Sequence, residues 1–391
     1  MQVLTFNFFL LSITGVWKPR QWGGIRAIFY YIYQAFVVII NLNFLLSNIM
    51  DLKLENVNLE AFADNLSLIF ALSITQKKIN CVIENRNSIM HIIDLLHRRP
   101  FKLRDHQEEL IFSQFDKFAR SVFTRYVLAH TGFLSIYSLG RMTLMDPPHT
   151  LPYNGWFPYN YTRTTKTYWA TAVFQFYAVF SLGVIDLLLD LLLPCLMCYM
   201  CGHIHILRYR FQVMIEKLLI MSENNESYGK IVSAERKLMA EWVKYHIDII
   251  NLVKFTNEIF EGVIFVQYTV ISLLLCTIAY FLSHTKSGTM MSFAGSFAFL
   301  AGMVIQILLP CFFADQLTVE FLDISTGIYN TKWYNLSNNI RRSVVIILRK
   351  SYQPVTITSI FFIILSLESF MKVIILFISF LIFITNNYYL K

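Results

Sequence analysis

The sequence is poor in charged residues. Only 15% of its 391 residues are Asp, Glu, Lys or Arg, whereas 56% are hydrophobic, and the mean hydropathy is +0.51. Soluble globular domains carry about 25% charged residues. A shortage of this size excludes an ordinary soluble domain and indicates a membrane protein that crosses the bilayer several times.

Cysteine is also scarce, with six residues scattered along the chain. This number and spacing exclude a disulfide framework. Cys195, Cys198 and Cys201 are spaced as in some metal clusters, but they end a long apolar run and lack a fourth close thiol. We interpret them as packing thiols, and we expect no metal and no cofactor.

The patterns of common enzymes are missing as well. The chain has no Ser/His/Asp set, glycine-rich phosphate loop or His-Glu metal motif at meaningful spacing, so we expect no enzymatic activity. Its net charge of +8 could indicate nucleic acid, but in a membrane protein it is more typical of basic loops on the cytoplasmic side. No nucleic-acid partner is expected.

Long apolar runs are abundant. Runs of about 20 residues, the length of a helix that crosses a bilayer, predict an all-α protein with seven transmembrane helices. The predicted spans are 27–49, 59–76, 121–144, 169–200, 259–283, 291–314 and 355–384. The N-terminal MQVLTFNFFLLSITG lacks the basic start and the cleavage site of a signal peptide, so we expect a retained helix along the membrane surface.

Basic residues fall on one side of this topology. The N-terminus and the connections 77–120, 202–258 and 315–351 carry 25 Lys and Arg, against five in the other connections and the C-terminal tail. The positive-inside rule therefore predicts a cytoplasmic N-terminus and an extracellular C-terminus. It also leaves Asn160, in the sequon Asn-Tyr-Thr of the largest outer connection, as the plausible glycosylation site.

Two of the basic connections carry apolar residues at helical spacing. Ile89, Ile92 and Leu96 share a helix face in the first, and Trp242 and Ile249 do so in the second. Because an apolar face needs a partner, we expect helices that continue from the membrane into the cytoplasm and pack on this chain or on a neighbouring subunit.

The topology also separates receptor classes. Seven spans with the N-terminus inside are the reverse of a G-protein-coupled receptor, and the chain lacks that class's acidic-Arg-aromatic triplet and Asn-Pro-x-x-Tyr motif. A secondary transporter would explain charges inside the last span, but its internal repeat and paired broken helices are not evident. A transporter and a metabotropic receptor remain the alternatives.

Charged residues inside apolar runs need partners. Glu368 and Lys372 lie four residues apart in the last span, in the order that favours pairing on a helix. Their face points to a pore or a neighbouring helix, or the two form a self-satisfied pair with a packing role. We expect a basic partner for Asp190, which lies four residues from Asp186, and a helix contact for His130.

Several stretches resemble the insect odorant receptors. The resemblance is carried by LPYNGWFPYNYTRTTKTYWATAVFQ at 151–175, by QILLPCFFADQL, IYNTKWYNL and RRSVVIILRKSYQPV within 306–354, and by a Ser-Leu-Glu-x-Phe motif at 366–370. It extends from the GVWKP near residue 15 to the end. The length is that of a ligand-tuning receptor, because the shared co-receptor is longer and carries an insertion that 202–258 lacks.

This resemblance implies a function and an assembly. Such receptors are cation channels opened by small volatile organic molecules, and they are tetramers of tuning and co-receptor subunits in the plasma membrane of olfactory neuron dendrites. The basic connections would form a cytoplasmic anchor, with RRSVVIILRK as a short helix, and Pro354 would open the pore-lining helix 355–384. Phe383, Asn386 and Asn387 align with the family's gate and pore wall, where a bulky ring closes a pore by dewetting.

A site for a small volatile molecule should be enclosed, apolar and sparing in polar groups. The outer halves of the third, fourth and sixth spans offer such stripes, although ordinary packing also produces them, and the resemblance adds the second span. The candidates are Leu66, Ile69 and Phe70; Phe133, Ile136, Tyr137 and Gly140; Phe174, Tyr177 and Ser181; and Phe293, Phe297 and Leu300. Tyr137 and Tyr177 are the expected polar handles, since a phenol can donate a hydrogen bond to an ester, aldehyde or ketone.

Overall fold

The computed structural model describes the whole chain except residues 1, 55–58, 148, 225, 285–289, 361–362 and 390–391. It is built almost entirely of helices. These are α1 Gln2–Ile13, α2 Gly24–Leu54, α3 Leu59–Glu84, α4 Arg86–His97, α5 His106–Met142, α6 Thr165–Glu223, α7 Tyr228–His284, α8 Met290–Tyr329, α9 Asn338–Ser351 and α10 Leu367–Tyr389. Two short strands, β1 Thr358–Ser359 and β2 Ile363–Ile364, pair antiparallel before α10.

The seven predicted spans lie on seven long helices, namely α2, α3, α5, α6, α7, α8 and α10. Within the described part of the chain, α2, α3, α6, α7 and α8 are long and apolar enough to cross a bilayer by length and composition alone. Polar residues such as Arg125 and His130 dilute α5. Helices α6 and α7 run for 59 and 57 residues, far beyond the about 20 that a bilayer needs.

Helix α6 is the centre of the fold. Every residue from Ile185 to Ile204 is buried, and α6 packs against α1, α5, α7 and α8. A helix that is apolar on all sides must be surrounded by other helices. The nearly continuous apolar run of α6 therefore gives it the central position, and the core of the protein follows its length.

The connections 77–120, 202–258 and 315–351, here named the anchor region, are largely helical. Trp242 on α7 donates its indole N–H to the Leu207 carbonyl on α6 at 2.9 Å. Burial, reinforced by the nearby Arg210, lowers the pKa of His203 to about 3. This imidazole is therefore neutral when it hydrogen-bonds to the Tyr245 hydroxyl at 2.9 Å. The predicted short helix at RRSVVIILRK is confirmed as part of α9.

The last helix begins later than predicted. The sequence suggested that Pro354 opens it, whereas α10 starts at Leu367, after the short strands. The β-branched residues Val355, Thr356, Ile357 and Thr358 after Pro354 favour the strand β1 over a helix. The Ser366 hydroxyl then accepts a hydrogen bond from the Ser369 N–H at 3.1 Å, which caps the new helix.

The N-terminal helix is held to the bundle. Leu4 and Leu11 of α1 are buried, and α1 packs against α5 and α6. The Asn7 side-chain amide donates to the Leu188 carbonyl of α6 at 3.1 Å. Because the buried Asn7 amide needs a hydrogen-bond partner in an apolar core, this contact helps to fix where α1 sits.

Candidate functional site

A cavity of about 80 Å³ lies between α3, α5, α6 and α8. These are the second, third, fourth and sixth predicted spans. The cavity is lined by Leu68, Ala71, Leu72, Thr75, His130, Phe133, Leu134, Tyr137, Val179, Leu182, Gly183, Asp186, Ala298, Phe299, Gly302 and Met303. An apolar enclosure with few polar groups is the usual form of a site for a small organic molecule.

Close packing of α5 on α8 shapes one end of this cavity. Tyr137 stacks on Phe299 with ring centroids 5.0 Å apart and an angle of 25° between the planes. One helical turn further on, a Cβ added at Gly140 would lie 2.9 Å from the Met291 carbonyl and 3.2 Å from the Gly295 Cα. Two glycines thus let the backbones of α5 and α8 approach, and the aromatic pair fills the space beside them.

The predicted ligand residues are distributed unevenly around the cavity. Phe133 and Tyr137 line it. Tyr177 is 52% exposed and Phe297 57% exposed, and neither is among the lining residues. The remaining candidates that do not line it are Leu66, Ile69, Phe70, Ile136, Gly140, Phe174, Ser181 and Leu300. The side chain of Phe293 lies outside those described.

Three further polar residues of the cavity wall were not among the predicted ligand residues. Thr75, His130 and Asp186 all line it. Val179, Leu182 and Asp186 are spaced by three and four residues, so Asp186 continues the apolar stripe of α6. This spacing could have indicated that Asp186 faces the same cavity as Val179 and Leu182. An acid in an apolar run, however, is more readily interpreted as a partner for a basic residue.

Asp186 belongs to a buried ionic cluster next to the cavity. Lys78 Nζ on α3 lies 2.9 Å from Asp186 Oδ1 and 2.5 Å from Asp190 Oδ1. The Thr75 hydroxyl also donates to Asp186 Oδ1, at 3.0 Å, and the Gln306 amide donates to Asp186 Oδ2 at 2.7 Å. The predicted basic partner of Asp190 is therefore Lys78, which serves both carboxylates.

Asp190 extends the cluster to two further helices. Its Oδ2 accepts a hydrogen bond from the Tyr126 hydroxyl on α5 at 3.1 Å, and its Oδ1 lies 3.4 Å from the Gln267 amide on α7. Five helices, α3, α5, α6, α7 and α8, thus meet at one set of polar side chains. A buried network of this kind is stable only when each charge keeps its partners.

Glu368 and Lys372 form an ion pair on α10. Lys372 Nζ lies 2.7 Å from Glu368 Oε1, and both side chains are more than two-thirds exposed in the isolated chain. Phe383, Asn386 and Asn387 are on α10, but their side chains lie outside those described. Asn160 is exposed, and its side-chain oxygen accepts a hydrogen bond from the Thr162 N–H at 3.0 Å.

Metal-binding groups are not evident in the part of the chain that the structure describes. The three closely spaced cysteines of α6 are buried among apolar residues, each at most 4% exposed. This environment agrees with their interpretation as packing thiols.

Comparison with known proteins gives consistent matches. Odorant receptor 67c of Drosophila melanogaster is 22% identical over 305 residues, which are 75% of this chain and 72% of the relative. Odorant receptor 2a of the same species is 21% identical over 382 residues, covering 94% and 92% of the two chains.

The fold matches that of solved structures. The insect olfactory receptor OR5 from Machilis hrabei in complex with eugenol superposes with a TM-score of 0.82 at 15% identity, covering 97% of each chain. A second structure of that receptor gives a TM-score of 0.83 at 14% identity, over 98% of this chain and 97% of the other. The bundle of seven transmembrane helices is therefore shared with an insect olfactory receptor.

The family model described as 7tm Odorant receptor matches residues 58–377, which include the cavity, the ionic cluster and the first part of α10. Since the match covers most of the sequence and the fold agrees, the chain belongs to the 7tm odorant receptor family.

Proposed function

We propose that this receptor is a subunit of a ligand-gated, non-selective cation channel, opened by small volatile organic molecules that bind in the cavity between α3, α5, α6 and α8. The observation that carries the proposal is the cavity itself, which lies between four helices and has apolar walls with only a few polar groups. The Machilis receptor with the same fold was solved in complex with eugenol.

The proposed pore lies along α10. Glu368 and Lys372 are exposed in the isolated chain, and a charge that faces lipid costs a few kcal/mol or more. A water-filled pore, or a neighbouring subunit, would remove that cost. We therefore propose that α10 lines a pore at the centre of a heterotetramer with co-receptor subunits, with Phe383 as the gate and Asn386 and Asn387 in the adjoining wall.

The distribution of basic residues supports a defined orientation. The N-terminus and the anchor region would be cytoplasmic, and the C-terminus extracellular, in the plasma membrane of an olfactory neuron dendrite. The outer connection would then carry Asn160, which is exposed and close to the start of α6.

The proposed orientation of the chain in the membrane predicts which sequon carries a glycan. In cells, Asn160→Gln is expected to abolish the glycosidase-sensitive shift in electrophoretic mobility, because only an extracellular sequon meets the glycosylation machinery. Asn335→Gln is the matched control, since its sequon Asn-Leu-Ser lies in the anchor region and should carry no glycan. A mobility shift that depends on Asn335 and not on Asn160 would reverse the orientation.

Channel activity is tested by whole-cell current. Cells that express this chain with an insect odorant co-receptor are exposed to pulses of volatile esters, aldehydes, alcohols and terpenoids while G-protein signalling is blocked. A rapid cation current that requires this chain and persists under the block is expected. A response that disappears under the block would favour a metabotropic receptor, and substrate accumulation without channel current would favour a transporter.

The same recording tests the cavity. Gly302 lines it, and a Cβ there would find the Phe133 ring 3.9 Å away, so a side chain can enter without striking backbone. Gly302→Leu is expected to reduce ligand sensitivity about tenfold or more, because it fills space that the ligand needs. Gly132→Leu, on the exposed side of α5, is the control, since nothing lies within 4 Å of its Cβ. Equal ligand sensitivity in the two variants would show that the ligand binds outside this cavity.

A further inference from the structure

The cavity has one charged end. Of the described residues that line it, Asp186 alone carries a formal charge, while the walls beside it are mostly apolar. Asp186 lies toward the anchor end of the cavity, and Val179 lies about 10 Å away along α6, at 1.5 Å of helix rise per residue. Any molecule that fills this length places one of its ends near the carboxylate.

We propose that Asp186 makes this cavity selective for ligands that carry a hydroxyl group, namely medium-chain alcohols and phenols, by accepting a hydrogen bond from that hydroxyl. This inference rests on the proposed role of the cavity as the ligand site. It replaces the expectation from sequence that two tyrosines donate hydrogen bonds to esters, aldehydes or ketones.

Three donors surround the two oxygens of Asp186. The Lys78 ammonium, the Thr75 hydroxyl and the Gln306 amide all donate to its two oxygens, at 2.9, 3.0 and 2.7 Å. Lys78 also serves Asp190, so one positive charge faces two carboxylates, and the cluster keeps accepting character.

The carboxylate has capacity for a further donor. Its two oxygens offer about four acceptor sites, and three are used by the described residues. The Asp186 side chain is 10% exposed, compared with 4% for Asp190, and Asp186 lines the cavity whereas Asp190 does not. The remaining accepting capacity is therefore accessible from the cavity.

Ligands without a donor are disfavoured at this end. An ester, ketone or ether presents only lone pairs, which would face the carboxylate without a proton between them. Lys78 does not line the cavity, and the Thr75 hydroxyl lies within hydrogen-bond distance of both Asp186 and the Ala71 carbonyl, so neither group offers a proton to such a ligand. When two acceptors face each other in a buried site, both lose their hydrogen bonds to water and gain none in exchange. The apolar body of an alcohol or phenol would pack on Leu182, Phe133 and Phe299.

Isomers separate the hydroxyl from size and shape. The full chain, purified in lipid nanodiscs, is heated with heptanol or its isomer hexyl methyl ether, and with p-ethylphenol or its isomer p-methylanisole. The readout is the concentration that gives half of the maximal rise in the unfolding midpoint. In the native chain each hydroxyl compound is expected to act at about tenfold lower concentration than its ether isomer, because only the hydroxyl compound can donate a hydrogen bond to the carboxyl group.

Two variants locate the preference. Asp186→Asn is expected to reduce the ratio between each ether and its hydroxyl isomer to near one, while Lys78 keeps Asp190 as its partner. Asp190→Asn replaces the other acid of the cluster in the same way, but Asp190 does not line the cavity. This variant is expected to retain the tenfold ratio between each ether and its hydroxyl isomer. Since the measured quantity is a ratio between isomers, a general loss of stability does not change it.

The outcomes distinguish this inference from the proposed function. Equal half-saturating concentrations in the native chain, no stabilisation by any of the compounds, or the same loss of ratio in both variants would overturn the role of Asp186. If cells give no odorant-evoked current but the isomer ratio persists and depends on Asp186, the channel proposal fails and the inference stands. If the ethers open the channel as well as the alcohols do, the channel proposal stands and the inference about Asp186 fails.

Discussion

Lys78→Met is expected to destabilise the receptor by about 3–5 kcal/mol, because it leaves two buried carboxylates without their shared cation. The Lys78 side chain is 4% exposed, and its ammonium lies within 3 Å of both Asp186 and Asp190. Methionine keeps the length and apolar character of the lysine stem, so the loss comes from the charge. The measurement is the thermal unfolding midpoint of the purified chain, together with surface expression in cells.

Lys77→Met is the matched control for this change. Lys77 is the preceding residue on α3 and is exposed, so its replacement should leave the midpoint nearly unchanged. If Lys78→Met does not fold, Asp186→Asn and Asp190→Asn in the same chain should restore expression, since neutral side chains no longer require a cation. Equal stability of the two methionine variants would contradict the ionic cluster.

Arg210→Met is expected to cost a similar amount, about 3–5 kcal/mol, in the anchor region. Arg210 on α6 makes two hydrogen bonds to Glu108 on α5, Nε to Oε1 at 2.7 Å and Nη2 to Oε2 at 2.8 Å. Burial by itself lowers the pKa of Arg210, but the hydrogen bond to Glu108 and the nearby Tyr245 and Asp105 together outweigh it, so the pKa lies above its ordinary value. Without the guanidinium, the Glu108 carboxylate, 1% exposed, would be buried and unpaired.

Arg104→Met controls for the loss of one positive charge in the same region. Arg104 is 53% exposed, and its contact with Glu241 is 3.9 Å long, so its removal should change stability by less than about 1 kcal/mol. Arg210→Lys is expected to fall between the two, because lysine keeps the charge but not the paired geometry. Equal unfolding midpoints for Arg210→Met and Arg104→Met would show that the Glu108 contact contributes little.

The helices were predictable because their signals are local. Apolar runs of about 20 residues placed all seven spans, and helical spacing at Trp242 and Ile249 predicted that α7 continues beyond the membrane. The start of α10 was missed for a local reason as well. Proline often begins a helix, but the β-branched residues after Pro354 favour a strand, and the Ser366 cap decides where the helix starts.

The cavity was less predictable because its walls depend on how each helix is rotated. Apolar stripes identified the four helices around it, but α5, α6 and α8 carry aromatic residues on several faces. Phe133 and Tyr137 line the cavity, whereas Tyr177 and Phe297 are exposed on other faces of their helices. Helix rotation is set by contacts such as Gly140 with Gly295, which are distant in sequence and have no periodic signal.

The ionic cluster could be predicted only in part. Asp190 was expected to have a basic partner, but many Lys and Arg residues follow the second span, and nothing in the sequence singles out Lys78. The contact joins residues that are 112 positions apart. Its choice follows from the packing of α3 on α6, which buries Lys78 and leaves Lys77 exposed.

Helix α7 is long enough for a small tilt to produce a large displacement at its far end. It has 57 residues and no proline, so at 1.5 Å per residue it is about 85 Å long. Long helices bend only gently unless a proline or a bulge interrupts them. A tilt of one degree at one end therefore displaces the other end by about 1.5 Å, which is half the length of a hydrogen bond. Helix α7 contacts α3, which lines the cavity, at Ile259 and Thr277, so a tilt of α7 there would displace its other end, in the anchor region, by the larger amount.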